Sequence, residues 1–302
     1  MSCLLLLFLG FVPLTGSAPR LDHGSRPEPD SDRSGVPVLT YHQVSYQPAY
    51  YGVTPLRLRA DLQGLYDAGF FLILPDDLEN GLHRVPLDRR PVMITFDDGW
   101  EDNFRYIQDI DGGFRLDPDC AVAIVNSFLD ENPDFGFGAV FFVSWDKIPF
   151  GSMTEEKLNE LLDMGHAIGN HSANHRSFTA MNPALYGREI LPALDSFRKR
   201  LGLRAFGITA FAYPGGLLPG GLDAREAVGG IQWQGRQAVS QGYVVDGAVG
   251  SISRFYRGGD ARYRISRIDM ALYSVPRLLR WSNLMKPLDQ RRTIHDPMPW
   301  RP

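Results

Sequence analysis

The stretch PVMITFDDG (residues 91–99) decides the fold predicted for this chain: an apolar run that ends in two adjacent carboxylates and a glycine. A segment that is apolar on both faces is typical of a strand buried in a parallel sheet. Active sites of such folds gather at the carboxyl ends of the strands. Two carboxylates there are costly unless a cation holds them. Asp97 and Asp98 therefore indicate a site, and the alternative is an Asp-Gly turn or a helix cap without chemistry.

Short apolar runs and amphipathic stretches alternate on both sides of this strand. The pattern predicts strands over residues 36–42, 70–75, 91–96 and 138–143 and helices over residues 56–70 and 154–165. Continuous apolar strands separated by helices predict a parallel sheet covered on both faces, as an α/β barrel or a doubly wound fold. No repeat and no change of composition interrupts residues 36–285, which favours one domain.

The two ends of the chain differ from this central pattern. Residues 1–18 combine a short apolar run with small residues, which predicts a signal peptide and export; a misassigned start or a buried strand is the alternative. Residues 19–35 are rich in Pro, Ser, Gly and charge and predict a flexible linker. Residues 286–302 predict an irregular, basic, Pro-rich tail. Without Cys3, Cys120 is the single cysteine, so we expect no intrachain disulfide.

The composition excludes several classes of protein. The chain has 302 residues, 44% of them hydrophobic and 22% charged, which is ordinary for a globular protein. Residues 251–302 carry 11 Lys and Arg against 4 Asp and Glu, whereas the net charge of the whole chain is -4. The main body is therefore acidic, which argues against a nucleic-acid groove. The basic end predicts either a contact with an anionic polymer or a solvated arginine-rich face.

Two further motifs follow predicted strands. In HSANH (residues 171–175) the histidines are four apart, so on a helical turn they share one face and can bind one ion. Two imidazoles and one carboxylate form the three-ligand set of a catalytic metal site. FAYPGG (residues 211–216) is a strand that enters a Pro-Gly-Gly turn, whose exposed N–H groups can stabilise an oxyanion. The alternatives are a chance histidine pair and an ordinary turn.

These three motifs, in this order, resemble the first three motifs of the polysaccharide deacetylases (carbohydrate esterase family 4). VLTYH (residues 38–42) is similar to the opening strand of the branch that deacetylates poly-N-acetylglucosamine of biofilms. The resemblance covers about residues 36–270. It implies a distorted (β/α) barrel of about seven strands, formed by a single catalytic domain over residues 36–285.

The resemblance also implies roles for the motif residues. Asp97 corresponds to the general base, and Asp98, His171 and His175 correspond to the metal ligands. The ligand types suit Zn²⁺, and Co²⁺ or Ni²⁺ are also accepted by such a set. Around the third motif, the resemblance together with the exposed turn implies an oxyanion or substrate contact at Tyr213 and Gly215.

Two elements of the family pattern are replaced here. Many members carry an arginine in the third motif that orients the base, and Ala212 stands at that position. Arg267 and Arg254 are the candidates to replace it, and a surface salt bridge is the alternative for each.

The late histidine that acts as general acid in the family also has no match, because the only histidine after the second motif is His295 in the tail. His42, at the end of the first predicted strand, is the candidate acid, and a hydrogen-bonded core histidine is the alternative. Trp100, directly after the Asp pair, is a candidate for stacking on a sugar ring, and packing in the core or at the rim is the alternative.

The hypothesis is a metal-dependent hydrolase that removes acetyl groups from an N-acetylated, or O-acetylated, polysaccharide of the cell envelope or a biofilm. Its expected partner is the polysaccharide, with no nucleic acid and no internal membrane span; the sequence does not indicate an oligomeric state. Two alternatives stay open. One is a catalytically silent glycan-binding member of the same fold, and the other is a metal amidohydrolase with the same site that acts on small amides.

Overall fold

The computed structural model describes residues 35–280, apart from the side chains of residues 252, 253 and 257. The predicted signal peptide, all but the last residue of the predicted linker and the predicted tail lie outside the described residues. Within the described part, no helix is both long and apolar enough to span a membrane, and Cys120 is a buried free cysteine.

Eight parallel strands form the main sheet. They are β1 (Val38–Tyr41), β2 (Phe70–Leu72), β3 (Arg90–Asp98), β4 (Val140–Val143), β5 (Ala167–Asn170), β6 (Ala210–Ala212), β7 (Gln241–Val245) and β8 (Ile265–Asp269). Hydrogen bonding follows the order β1-β8-β7-β6-β5-β4-β3-β2, and β1 also pairs with β3. Seven strands therefore close into a barrel, and β2 pairs with the first residues of β3 beneath β1. The predicted α/β barrel is confirmed.

Seven α-helices flank this barrel or connect its strands in the described part of the chain. They are α1 (Pro55–Asp67), α2 (Pro75–Glu79), α3 (Ala121–Glu131), α4 (Thr154–Asp163), α5 (Gly187–Leu201), α6 (Ile252–Arg257) and α7 (Val275–Leu278). Helix α1 packs on α3, and α5 packs beside α4 and β5. A Thr-Pro pair starts α1: the Thr54 side chain accepts a hydrogen bond from the Arg57 amide, and Pro55 supplies the φ of a first helical turn.

Residues of β3 alternate between two apolar layers. Ile94 and Phe96 pack with the helices, whereas Met93 lies in a second cluster that draws on the strands of the barrel and on none of α1, α3, α4 or α5. That cluster is the barrel interior. Strand geometry then directs Thr95 and Asp97, which share the parity of Met93, to the interior as well. The end of β3 therefore brings a carboxylate to the mouth of the barrel.

The interior is tightly filled near this carboxylate. Phe142 on β4 lies level with Asp97 on one side and with Gly169 of β5 on the other. A Cβ at Gly169 would lie 2.2 Å from Phe142 Cδ1, so only glycine leaves room for the ring.

We expect Gly169→Ala to lower the free energy of unfolding by about 1–3 kcal/mol, because overpacking forces the Phe142 ring or the backbone to move. Equilibrium urea unfolding measures this change. Gly207→Ala is the matched control, since a Cβ there meets nothing within 4 Å. Equal unfolding free energies for the two variants would contradict the packing described here.

Candidate active site

The strand ends bring the predicted site residues to one end of the barrel. The β1–β3 register pairs Thr40 with Thr95 and Tyr41 with Phe96, so His42 follows at the level of Asp97. β4 lies on the other side of β3, and β5 next to it leads directly into His171.

Asp97 is buried and held by Arg267. The guanidinium donates from Nη1 to Asp97 Oδ1 at 2.7 Å and from Nη2 to Oδ2 at 2.8 Å. Arg267 is itself fully buried, and its Nη1 also donates to Thr40 Oγ1 at 3.0 Å. Burial alone would raise the pKa of Asp97, but the charges of Arg267 and His171 hold it below the usual value of a carboxyl. Asp97 is therefore an oriented anion.

Of the two arginines considered as replacements for the missing motif arginine, Arg267 is the one that contacts Asp97. Ile265 belongs to the interior cluster, and Arg267 lies two residues further along β8 on the same face. Arg254 is exposed, on α6. The guanidinium that orients the carboxylate thus comes from the last strand of the barrel.

Asp98 turns away from the alternation of the strand. Its φ of +73° lies in the left-handed region, so it does not continue to the opposite face of the sheet. Oδ2 accepts a hydrogen bond from Trp100 Nε1 at 2.8 Å. Oδ1 faces His171 Nε2 at 3.4 Å and His175 Nε2 at 3.0 Å. Burial would raise the pKa of Asp98, but its contacts with the two histidines hold that pKa well below the usual range.

Trp100 therefore contacts the site through its indole N–H. One face of its ring is covered by Lys147, whose Nζ lies 3.5 Å from the ring centroid. That face is occupied by the ammonium group, and the stacking of Trp100 on a sugar stays a prediction.

The two histidines lie in a loop after β5 and not on a helical turn as predicted from their spacing. Ser172 and His175 have φ angles of +76° and +51°, which interrupt any helix. Ser172 Oγ accepts the hydrogen bond of the His175 amide at 2.9 Å and fixes this loop. The rings of His171 and His175 still meet, with centroids 5.0 Å apart.

The histidine contacts also assign a tautomer. His171 Nδ1 lies 2.8 Å from the carbonyl oxygen of Ala212, so Nδ1–H donates to it and the lone pair of a neutral ring sits on Nε2. Contact with the Asp98 carboxylate raises the pKa of His175, against the opposing effect of burial.

These atoms form a possible metal site. Asp98, His171 and His175 each offer one ligand atom, and the three atoms lie within 4.8 Å of one another. Asp98 Oδ1 is buried and accepts no well-formed hydrogen bond from a described residue. Lone pairs of a carboxylate and an imidazole that face each other repel unless a cation or a proton lies between them. The donor set of one oxygen and two nitrogens suits Zn²⁺, Co²⁺ or Ni²⁺.

His42 lies at the edge of this centre. It is half-buried, its ring is next to that of Tyr51 with centroids 5.6 Å apart, and its carbonyl accepts from Asn103 Nδ2. Its Nδ1 is buried without a hydrogen-bond partner among the described residues. The charge of His42 lowers the pKa of Asp97 after the larger effects of burial, Arg267 and His171, which places it within electrostatic reach of that carboxylate.

The third motif places an exposed backbone turn, and not a side chain, beside the loop of the second motif. Gly215 is exposed with a φ of +76°, and a Cβ there would lie 3.2 Å from Ser177 Oγ, so this turn adjoins the loop of the second motif. Tyr213 is buried, and its hydroxyl donates to the carbonyl of Tyr263 at 2.8 Å. Burial raises the pKa of that hydroxyl strongly. The Tyr213 side chain is thus part of the core and does not reach the cleft, in contrast to the predicted substrate contact.

Two residues at the site were not singled out from the sequence: Lys147, which covers Trp100, and Tyr51, which contacts His42. Both lie in loops that follow barrel strands, β4 and β1. Their position after predicted strands could have indicated both residues, since functional residues of barrels concentrate in such loops.

The comparison with family models matches the segment that contains the three motifs. Residues 84–227 match the family model described as polysaccharide deacetylase. YxkH of Bacillus subtilis (strain 168), whose name describes it as a polysaccharide deacetylase, is 26% identical over 153 residues. The match covers 49% of this chain and 46% of the relative, so the chain aligns with about half the length of that relative.

Solved structures share the fold at low sequence identity. The Streptococcus pyogenes deacetylase PplD, solved in complex with acetate, is similar with a TM-score of 0.60 and 19% identity over 86% of this chain and 100% of that chain. IcaB from Ammonifex degensii gives a TM-score of 0.57 and 18% identity over 83% of this chain and 97% of that chain. Both agree with the barrel described above.

The Arg267–Asp97 pair leads to a stability prediction. We expect Arg267→Met to destabilise the metal-free protein by about 3–5 kcal/mol, because it leaves the buried Asp97 carboxylate without its counter-charge. The double variant Arg267→Met/Asp97→Asn removes that charge and regains part of the loss. Urea unfolding in the presence of a chelator measures all three proteins. A double variant no more stable than Arg267→Met would contradict the pairing.

Proposed function

Because residues 84–227 carry a domain of the polysaccharide deacetylase family, we propose that the protein is a metal-dependent hydrolase that removes acetyl groups from an N-acetylated polysaccharide. One observation carries this proposal: Asp98, His171 and His175 converge beside an Asp97 that is fixed by Arg267. A three-ligand centre next to an oriented carboxylate suits hydrolysis of an acetamide.

In this proposal Asp98 Oδ1 and Nε2 of the two histidines hold a divalent cation, with Zn²⁺ the best match to the donor set. When bound, such a cation polarises the acetyl carbonyl and lowers the pKa of water. Trp100 keeps Asp98 Oδ2 occupied, so that Oδ1 is the oxygen presented to the cation. The Ala212 carbonyl does the same for His171 by holding its Nδ1–H.

Asp97 is the general base in this proposal. It stays ionised at neutral pH because the Arg267 guanidinium lowers its pKa against the effect of burial. The bidentate contact fixes the plane of the carboxylate and leaves each oxygen a further lone pair to accept the proton of the attacking water. The backbone N–H at Gly215 stabilises the oxyanion, because the exposed turn adjoins the second-motif loop.

The leaving amine needs a proton, and His42 is the proposed donor. His42 directly follows β1 and lies level with Asp97 of β3, and β4 pairs with β3 on the other side. The imidazole therefore approaches Asp97 from the side opposite β4. Its Nδ1 has no hydrogen-bond partner among the described residues, so no protein contact holds that nitrogen.

We propose poly-N-acetylglucosamine as the glycan, from the similarity of residues 38–42 to the opening strand of the biofilm branch, and an exported location from residues 1–18. A catalytically silent member is the competing function. The absence of a motif arginine and of a late histidine favoured it, and the Arg267 contact weakens the first of these reasons.

The first test is acetate release. We expect metal-loaded protein to release acetate from poly-N-acetylglucosamine oligomers and to lose this activity with chelator. Asp97→Asn lowers the rate by about 10²–10⁴-fold, as removal of a general base does. Chitin-type and peptidoglycan oligomers, assayed in parallel, define the substrate.

Asp88→Asn is the control, because Asp88 is an exposed carboxylate. If the metal-loaded protein bound these oligomers and released no acetate from any of them, the silent member would be the correct function.

A second test concerns Trp100. We expect Trp100→Phe to weaken Zn²⁺ binding by about 10–100-fold, because Asp98 loses the hydrogen bond that orients it. Competition with a chromophoric chelator measures the affinity without any substrate.

Trp233→Phe is the matched control: the Trp233 Nε1 also donates to a carboxylate, Asp195 Oδ1 at 2.8 Å, which lies on α5 and is not one of the proposed metal ligands. Equal Zn²⁺ affinities for the two variants would show that Trp100 has no role in ligand orientation.

A further inference from the structure

The loop between β1 and α1 concentrates exposed aromatic side chains at the active-site end of the barrel. Residues 43–54 contain three tyrosines within six positions: Tyr46 is 60% exposed, Tyr50 is 78% exposed and Tyr51 is 56% exposed. We call residues 43–54 the tyrosine loop. Single exposed aromatic residues are common on protein surfaces, but a contiguous group marks a binding site.

The tyrosine loop is held in one conformation by its own hydrogen bonds. Ser45 N donates to Val53 O at 3.0 Å, and Val53 N donates to Gln43 O at 2.9 Å. The Gln43 side chain accepts from Ala49 N at 3.1 Å and crosses the loop. A rigid loop presents its side chains at little entropic cost on binding.

The loop is also anchored to the segment that carries the catalytic carboxylates. Val44 N donates to Asp102 Oδ1 at 3.2 Å, and Asp102 lies four residues after Asp98. The loop therefore keeps its position relative to the cleft.

Two of the tyrosines are connected to His42 through ring contacts. The Tyr51 ring lies next to His42, and Tyr50 meets Tyr51 edge-on with centroids 5.0 Å apart and an interplanar angle of 84°. His42, Tyr51 and Tyr50 thus form an uninterrupted aromatic row that begins at the proposed proton donor. A ligand bound at Tyr51 therefore lies next to the His42 ring.

The chemistry of the loop indicates a neutral ligand. Residues 43–54 contain no Lys, Arg, Asp or Glu. Tyrosine offers an apolar face and a hydroxyl at its edge, which match the C–H face and the hydroxyls of a pyranose ring. An anionic sugar would find no counter-charge within the loop.

We propose that Tyr51, with Tyr50, forms a stacking platform for a neutral N-acetylhexosamine unit of the glycan, next to the unit whose acetyl group is removed. This inference rests on the proposed function and adds a residue that determines specificity for chains over single sugars. Tyr51 is a positioning residue: it takes no part in bond making, and it orients the chain beside His42.

Tyr46 supplies a matched control within the same loop. It is as exposed as Tyr51, but its hydroxyl donates to Asp119 Oδ2 at 3.0 Å at the start of the α3 region. No ring contact joins Tyr46 to His42 or Tyr51 among the described residues. Tyr46→Ala removes the same side-chain area without touching the aromatic row.

The experiment measures kcat and KM of the full chain, loaded with Zn²⁺, on N-acetylglucosamine oligomers of one to five units. We define the preference as the ratio of kcat/KM for the pentamer to kcat/KM for the monomer. We expect Tyr51→Ala to lower this ratio by about 5–10-fold, mainly through a higher KM for the pentamer, as loss of an aromatic contact does. Tyr50→Ala gives a smaller loss, Tyr51→Phe retains the preference because the ring remains, and Tyr46→Ala matches the unaltered chain.

A loss in Tyr51→Ala that is the same for monomer and pentamer would overturn the platform, because Tyr51 would then act only as support for His42. Equal preference in Tyr51→Ala and Tyr46→Ala would overturn it as well.

A binding measurement separates this inference from the proposed function. Calorimetric titration of the Asp97→Asn protein with the pentamer, with and without Tyr51→Ala, reports the platform without catalysis. Pentamer binding that depends on Tyr51, in a chain whose unaltered form releases no acetate, would support the platform and overturn the proposed deacetylase. Binding that is independent of Tyr51, or absent, would overturn the platform even where acetate is released.

Discussion

The buried pairing of Arg267 with Asp97 is the interaction on which the geometry of this site depends. A guanidinium and a carboxylate that are both shut off from water gain little net stability, because desolvation costs as much as their attraction returns. The pair instead orients Asp97, because its two parallel hydrogen bonds fix the plane of the carboxylate. Thr40 on β1 joins the same guanidinium. One side chain of β8 thus connects the two strands that close the barrel, β1 and β3.

Several residues of the site beside this pair have backbone conformations that are unusual for residues other than glycine. Asp98, Ser172 and His175 all have positive φ angles, each costing about 1–3 kcal/mol for a residue other than glycine. The strain has a structural result. It turns Asp98 out of the strand alternation and bends the histidine loop back, so that three ligand atoms converge. Regular strand and helix geometry would have separated them.

The fold was predictable because its signal is local. Apolar strands such as residues 91–96, separated by amphipathic helices, lead directly to a parallel barrel, and the observed β3 contains that run. The convergence of Asp98, His171 and His175 was equally predictable from the motifs. Arg267 was one of two candidates, and alternation from the apolar Ile265 would have directed it to the interior.

The geometry within the site was not predictable, because it depends on contacts between distant segments. The spacing of His171 and His175 suits a helical turn, and the positive φ angles that forbid it carry no mark in the sequence. Tyr213 sits in a motif next to the cleft, yet a hydrogen bond to a carbonyl 50 residues away places it in the core. Lys147 reaches Trp100 only after β3 and β4 pair.

The order of strands along the chain has a consequence for how this centre comes into being. Both carboxylates and both histidines lie between residues 97 and 175, whereas the guanidinium that neutralises Asp97 arrives with β8 at residue 267. During synthesis from the amino terminus, the acidic cluster is therefore complete long before its counter-charge emerges. Until the last strand inserts between β7 and β1, the nascent sheet is an open arc in which the Asp97 carboxylate on β3 lacks its guanidinium. Ring closure and charge neutralisation are then a single event.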